Sequence, residues 1–173
     1  KYKILDMDSL NKIISVIFFL TVFCNTELYS ANIFSAASGD WNVPGTWVGG
    51  VVPGSGDQAF IQNGHDITVT ANQTVGIIRV TGHSGISSLT VNSGVTLTVN
   101  LYFINVGGFK NTTVNVIVNG TINSPRYICT LANNTSNLTV NTSGTGTISC
   151  SSDFTYSSYG NGAVFNHSVA NSS

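Results

Sequence analysis

After residue 30 the chain is almost without charge. From Ala31 to Ser173 the only charged side chains are Asp40, Asp57, Asp66, Asp153, Arg79, Lys110 and Arg126. Short alternating phrases take their place: Ile67-Thr-Val-Thr, Leu89-Thr-Val-Asn, Leu97-Thr-Val-Asn, Val116-Ile-Val-Asn-Gly and Leu138-Thr-Val-Asn. A period of two places successive side chains on opposite faces of a strand. The β-branched Val, Ile and Thr suit that pleated surface. No stretch beyond residue 30 shows a 3.6-residue apolar stripe, so the predicted class is all-β.

The phrases also recur. Val69, Val80 and Val91 are spaced 11 apart, and Val118 and Val140 sit in matching phrases 22 apart. Recurrence at such multiples is the mark of a solenoid whose coils each contribute short strands, with Val, Ile and Leu stacked in an interior ladder. Asn at the strand ends suits the corners, because it tolerates left-handed backbone and bonds locally. A right-handed parallel β-helix is the first expectation, and an antiparallel β-sandwich, built from strands of similar length, is the alternative.

Composition bounds the partners. The chain is 42% hydrophobic and 8% charged, against roughly 25% charged in ordinary soluble domains. Solubility therefore rests on Asn, Thr and Ser. A formal net charge of −1 removes the electrostatic case for nucleic acid or anionic lipid, which needs clustered Lys and Arg.

The segment 1–30 reads as a secretory signal. Met7 is a plausible start, Lys12 supplies the positive region, and Ile13 to Cys24 forms an apolar run of twelve. Such a run is too short to span a bilayer comfortably. Cleavage after Ser30 would leave no membrane span in the mature chain and place it at the cell surface or outside the cell. Residues 31–66 are dense in Gly and Pro and are expected to form an irregular cap. The coils then run from 67 to 173 and are expected to continue beyond Ser173. With Cys24 removed, Cys129 and Cys150 remain, 21 residues apart. In stacked coils of about that length they form a disulfide or two buried thiols in one ladder.

The stretch from Ser38 to Val69 carries a denser pattern: Ser-Gly-Asp-Trp-Asn-x-Pro-x-Thr-Trp-x-Gly-Gly-x-x-Pro-Gly-x-Gly-Asp, then Ile61-x-x-Gly-His-x-Ile-x-Val. It resembles the opening of the eight-glycine domain and the start of large secreted surface proteins of the Bacteroidetes type, in which a Trp-Pro-Trp-Gly-Gly cap precedes a β-helix. The matching positions are Trp41, Pro44, Trp47, Gly49, Gly50, Pro53, Gly54, Gly56, Asp57, Gly64 and His65, and the likeness covers roughly residues 38–100. The resemblance implies secretion, a β-helical fold and an extracellular role. It implies no single reaction.

Trp41, Trp47 and Phe60 are the candidates for stacking on a sugar ring. The competing role for the two tryptophans is to cover the end of the solenoid, which otherwise exposes an apolar cross-section. Asp40, Asp57 and Asp66 are close enough in sequence to converge on a structural calcium, although calcium takes six to eight oxygens. No other cofactor is implied. Asp57 also suits a turn in which its carboxylate accepts backbone N–H bonds, and His65 suits a structural hydrogen bond.

Catalysis finds few groups. Glycosidases need two carboxyl groups flanking the bond, whereas the segment past residue 30 has four scattered aspartates and no glutamate. The expected function is a non-catalytic surface or adhesion module contacting an extracellular glycan or cell-surface component. The alternative is the N-terminal part of a β-helical polysaccharide lyase or glycoside hydrolase whose catalytic residues lie elsewhere.

Overall fold

The computed structural model describes residues 31–82, 85–107, 112–131, 138–158 and 163–172. The expected signal segment, residues 1–30, lies outside them. Among the described residues, thirteen strands alternate between two parallel sheets. One sheet takes β1 (Asn32–Phe34), β3 (Gln58–Ile61), β5 (Gln73–Gly82), β7 (Thr96–Gly107), β9 (Thr121–Leu131), β11 (Thr147–Ser158) and β13 (Ala170–Ser172), in that order. The other takes β2 (Gly39–Asp40), β4 (Asp66–Val69), β6 (Gly85–Val91), β8 (Thr112–Val118), β10 (Leu138–Ser143) and β12 (Ala163–His167). Each coil thus gives one strand to each sheet, and the chain is a parallel β-helix. The antiparallel sandwich is excluded: among the described residues, antiparallel pairing is confined to the isolated bridge between Ser35 and Trp47.

The alternation in the sequence sorts side chains as expected. Ile67, Leu89 and Val116 stack in one buried column, and Val69, Val91 and Val118 in the next. In the longer sheet Leu97, Ile122 and Ile148 form a third. A second interior column of the longer sheet is aromatic. Phe103, Tyr127 and Phe154 stack with centroids 5.0 and 4.8 Å apart and nearly parallel planes. The Tyr127 hydroxyl, enclosed by this stack, shares a 2.9 Å hydrogen bond with the buried Thr142 Oγ1, which keeps both polar groups satisfied.

The register corrects two expectations. Val69 and Val91 are neighbours 22 residues apart, with Val80 on the opposite sheet, so 11 residues make half a coil. Later coils are longer: Val91 pairs with Val118, and Val140 stands beside Val114 rather than Val118. The 21-residue spacing of the cysteines therefore misses the coil length. Cys150 is level with Ser124, while the backbone of Cys129 is level with Asn105 and Tyr156. Five residues of strand separate the two positions, on the order of 15 Å, and a disulfide needs Cα atoms within about 7 Å. Cys150 is a free, buried thiol.

Burial pushes the Cys150 thiol above its ordinary range, partly offset by a hydrogen bond with the backbone of Tyr127. The folded chain thus disfavours the thiolate. The stability this contributes is present below the ordinary thiol pKa and is lost as pH rises through the raised value. At pH 8, iodoacetamide should alkylate Cys150 in the native protein on the order of tenfold more slowly than in urea, as read by mass spectrometry of the peptide. Equal rates would show that this interior is open.

The segment expected to be an irregular cap already contains β1, β2 and β3. Their phrases, Asn-Ile-Phe and Gln-Ala-Phe-Ile, alternate but are only a few residues long, and turn residues flank them. The irregular part is the connection from β2 to β3, which carries a single-turn 3-10 segment, Pro44–Thr46, and a turn at Val48–Gly50 in which Gly49 and Gly50 take positive φ. It places Trp41 and Trp47 in the core of the first coil.

Candidate functional site

The longer sheet bends partway along its strands, and the bend is uneven. Between the aligned pairs flanking it, β7 and β11 each carry one residue more than β9. An extra residue forces a strand to bulge. The corner of β9, built from Asn123, Ser124 and Pro125, is consequently recessed between Asn100 of β7 and Ser151 of β11. The result is a shallow groove of about 270 Å³ lined by Thr98, Asn100, Asn123, Pro125, Ser149 and Ser151.

Local chemistry explains why β9 turns there. Proline has no N–H for the ladder and is tolerated inside a sheet at a bulge. Ser124 turns inward and donates from its hydroxyl to the Arg126 carbonyl at 2.7 Å. The rims β7 and β11 lie two strand spacings apart, about 9.6 Å, which suits a single extended chain of small rings. The Asn-Ser-Pro phrase is visible in the sequence, but the groove depends on insertions in its two neighbours, which alternation does not register.

One side of the groove continues into aligned hydroxyls and amides. Thr74, Thr98, Asn123 and Ser149 form one column, and Thr96, Thr121 and Thr147 form a second. All lie at least partly open to solvent, alternating with buried Leu97, Ile122 and Ile148. The shorter sheet carries a related ladder: Asn166 Nδ2 donates to Asn141 Oδ1, and Asn141 Nδ2 donates to Asn115 Oδ1, both at 2.9 Å. On the other side stands an ion pair, with Arg126 Nε 3.0 Å from Asp153 Oδ2 and both side chains about half exposed. An exposed pair of this kind contributes little stability.

Farther along the same outer surface, Phe34, Phe60 and Arg79 share a column. The two rings stack at 4.7 Å, and the Arg79 guanidinium carbon lies 5.5 Å from the Phe60 centroid. Phe60 therefore stands on the outer face of the sheet, with its ring between Phe34 and Arg79. The tryptophans do not. Trp41 and Trp47 are fully buried, packed edge to face at 4.9 Å, and Trp47 Nε1 donates to the Trp41 carbonyl at 2.7 Å. Both belong to the core of the first coil, and burial keeps them from direct contact with a ligand.

The remaining candidates serve the turns. Gly49, Gly50 and Gly64 have positive φ (79°, 70° and 80°), the conformation that favours glycine. Asp57 accepts from the Gly54 N–H at 2.8 Å and the Ala31 N–H at 3.2 Å, which ties the Pro53-Gly54-Ser-Gly56 turn to the first strand. Pro53 is buried and Gly56 is partly so. Asp40 accepts from the Asn42 N–H and from the Thr70 hydroxyl. Asp66 is exposed at the start of β4. No group of three or more His, Cys, Asp or Glu side chains converges among the described residues. His65 Nδ1 shares a 2.7 Å hydrogen bond with the buried Ser35 Oγ, which also accepts from the Gln62 N–H.

Fold and surface together define a β-solenoid with an uncharged groove at one corner and a small aromatic–arginine column beside it. Comparison with protein-family models, with curated proteins and with solved structures finds no match for the chain. No helix among the described residues is long and apolar enough to cross a membrane.

Proposed function

We propose that this chain is a non-catalytic extracellular surface or adhesion module that contacts glycans through the bend of its longer sheet. The observation that carries the reading is the recessed β9 corner, an uncharged groove in which the hydroxyl and amide groups of Thr98, Asn100, Asn123, Ser149 and Ser151 stand around apolar Val99 and Pro125. Such groups donate to and accept from sugar hydroxyls without the desolvation cost of charge. Repetition along the coils adds multivalency, so weak contacts sum to useful avidity. The resemblance of residues 38–100 to secreted surface proteins points the same way. Secretion belongs to this reading too, through the signal-like segment 1–30.

The test is a panel of neutral and acidic polysaccharides, immobilised and probed with purified protein. Asn123→Arg, which fills the groove, should reduce retention at least about tenfold, the loss expected when a polar site is blocked, and should leave thermal unfolding unchanged. Retention of no glycan by the native protein would overturn the proposal. Equal retention by the variant would move the contact away from the groove.

A further inference from the structure

We propose that the Arg126–Asp153 ion pair is the specificity-determining edge of the groove and takes two adjacent hydroxyls of one sugar ring, so that the glycan recognised is neutral. This rests on the glycan-binding reading and narrows it to a ligand class. Arg126 directly follows Pro125 of the groove, and Asp153 lies two residues past Ser151 of its rim. The extra residue that makes β11 bulge also sets the register of the pair. Cys150 is level with Ser124, and Asp153, three residues on, is level with Arg126, only two past Ser124. Without that residue Ser152 would stand beside Arg126. The bend that recesses the groove therefore brings the two charges together at its edge.

Stability does not account for the pair. Both side chains are about half exposed, where an ion pair contributes little. Solubility does not account for it either, since a matched pair adds no net charge. Yet it stands in a chain that has discarded charge nearly everywhere past residue 30. Among the described residues the contact uses Arg126 Nε and Asp153 Oδ2, which leaves the two terminal guanidinium nitrogens and Oδ1 for a ligand. A sugar hydroxyl both donates and accepts. One hydroxyl of an adjacent pair accepts from the guanidinium while its neighbour donates to Oδ1, and both bonds are charge-assisted. Pro125 offers the C–H groups of the same ring an apolar seat, in the usual pairing of apolar lining with a few polar groups. A charged sugar fits poorly, because a carboxylate meets Asp153 and an ammonium meets Arg126, each a like charge.

The experiment titrates the full chain calorimetrically with mannose, galactose and glucose oligosaccharides, each beside a deoxy counterpart lacking one of two adjacent hydroxyls, and with galacturonic-acid oligosaccharides. For the sugar that binds, the deoxy counterpart should be roughly tenfold weaker, and the uronate weaker still. Asp153→Asn should erase the difference between parent and deoxy sugar. It should also let the uronate bind, because Arg126 then lacks its anion, an outcome that a merely structural pair would not produce. Arg126→Gln should erase the same difference without admitting the uronate, and it serves alone if the Asn variant fails to fold. Thermal unfolding should stay unchanged in both variants. Equal binding of parent and deoxy sugars, or a difference that survives both substitutions, overturns the diol site and leaves glycan binding standing. Uronate bound by the native chain as tightly as the neutral sugars also overturns it. Failure of every glycan, neutral or acidic, takes down both readings together.

Discussion

Trp47→Ala should lower the unfolding free energy by about 3–5 kcal/mol, the range for truncating a buried aromatic residue. Three losses combine at this position. The indole is only 2% exposed, so its removal leaves a cavity at the end of the core. Its edge-to-face contact with Trp41 disappears. So does the hydrogen bond from its Nε1 to the Trp41 carbonyl, which leaves a buried acceptor to find another donor. Trp47→Phe keeps most of the volume and loses the N–H, so its own loss reports mainly the hydrogen bond, and the difference between the two variants reports the packing. The chain has two tryptophans, both inside the first coil, so intrinsic fluorescence reports that coil while far-ultraviolet circular dichroism reports the whole solenoid. The Ala variant should unfold at lower urea by fluorescence than by dichroism. Coincident, unshifted transitions would mean that the cap is dispensable.

Gly120→Ala should be as damaging for a different reason. A Cβ at Gly120 would fall well inside 3.0 Å of the carbonyl oxygens of Asn92 and Val95 in the preceding corner. Those atoms are backbone, fixed by the Val95 N–H donating to the Asn92 carbonyl at 3.1 Å and the Thr121 N–H donating to the Val95 carbonyl at 2.8 Å. Neither can move without opening the stack between coils. Overpacking costs about 1–3 kcal/mol where side chains can shift, and here the obstacle is main chain, so the upper end or beyond is expected. Gly146 repeats the situation one coil later, since its Cβ would meet the Gly120 carbonyl. The obstacle to the second is the backbone of the first, so the two substitutions should be non-additive. Gly45, with nothing within 4 Å of a Cβ, is the control, and Gly45→Ala should shift the urea midpoint little. Normal unfolding of Gly120→Ala would show that the corners stack more loosely than this geometry has them.

Much of the architecture was legible because alternation is a local signal. Ile67-Thr-Val-Thr and Leu89-Thr-Val-Asn announce which side chains point inward, and they do so without reference to any other coil. The burial of the tryptophans was legible for a similar reason: two indoles among glycines and prolines must be buried somewhere, and the first coil is nearest. Register between coils was not. It depends on how many residues each corner absorbs, and an insertion at a bend leaves the alternation on either side intact. That is why Val118 and Val140 looked equivalent, and why Cys129 and Cys150 looked like neighbours although β11 places Cys150 beside Ser124. Corner asparagines were half read. They were expected to bond locally, but Asn72 and Asn119 reach instead to the N–H groups of Thr96 and Thr145 in the following coil. The groove was hidden for the same reason as the register, being a difference in length between adjacent bends. Arg79 was visible as a rare charge, but its alignment with Phe34 and Phe60 spans 45 residues of sequence and needed the stacked coils to appear.

The parallel, in-register stacking of coils also sets how this molecule answers a pull. Each coil holds only its neighbours, so tension along the axis is met by one inter-coil seam at a time rather than by the whole core. A ruptured seam frees a coil of about 25 residues, roughly 80 Å of slack at full extension, while the coils behind it keep their own contacts. A solenoid built this way yields in steps, releasing length one coil at a time.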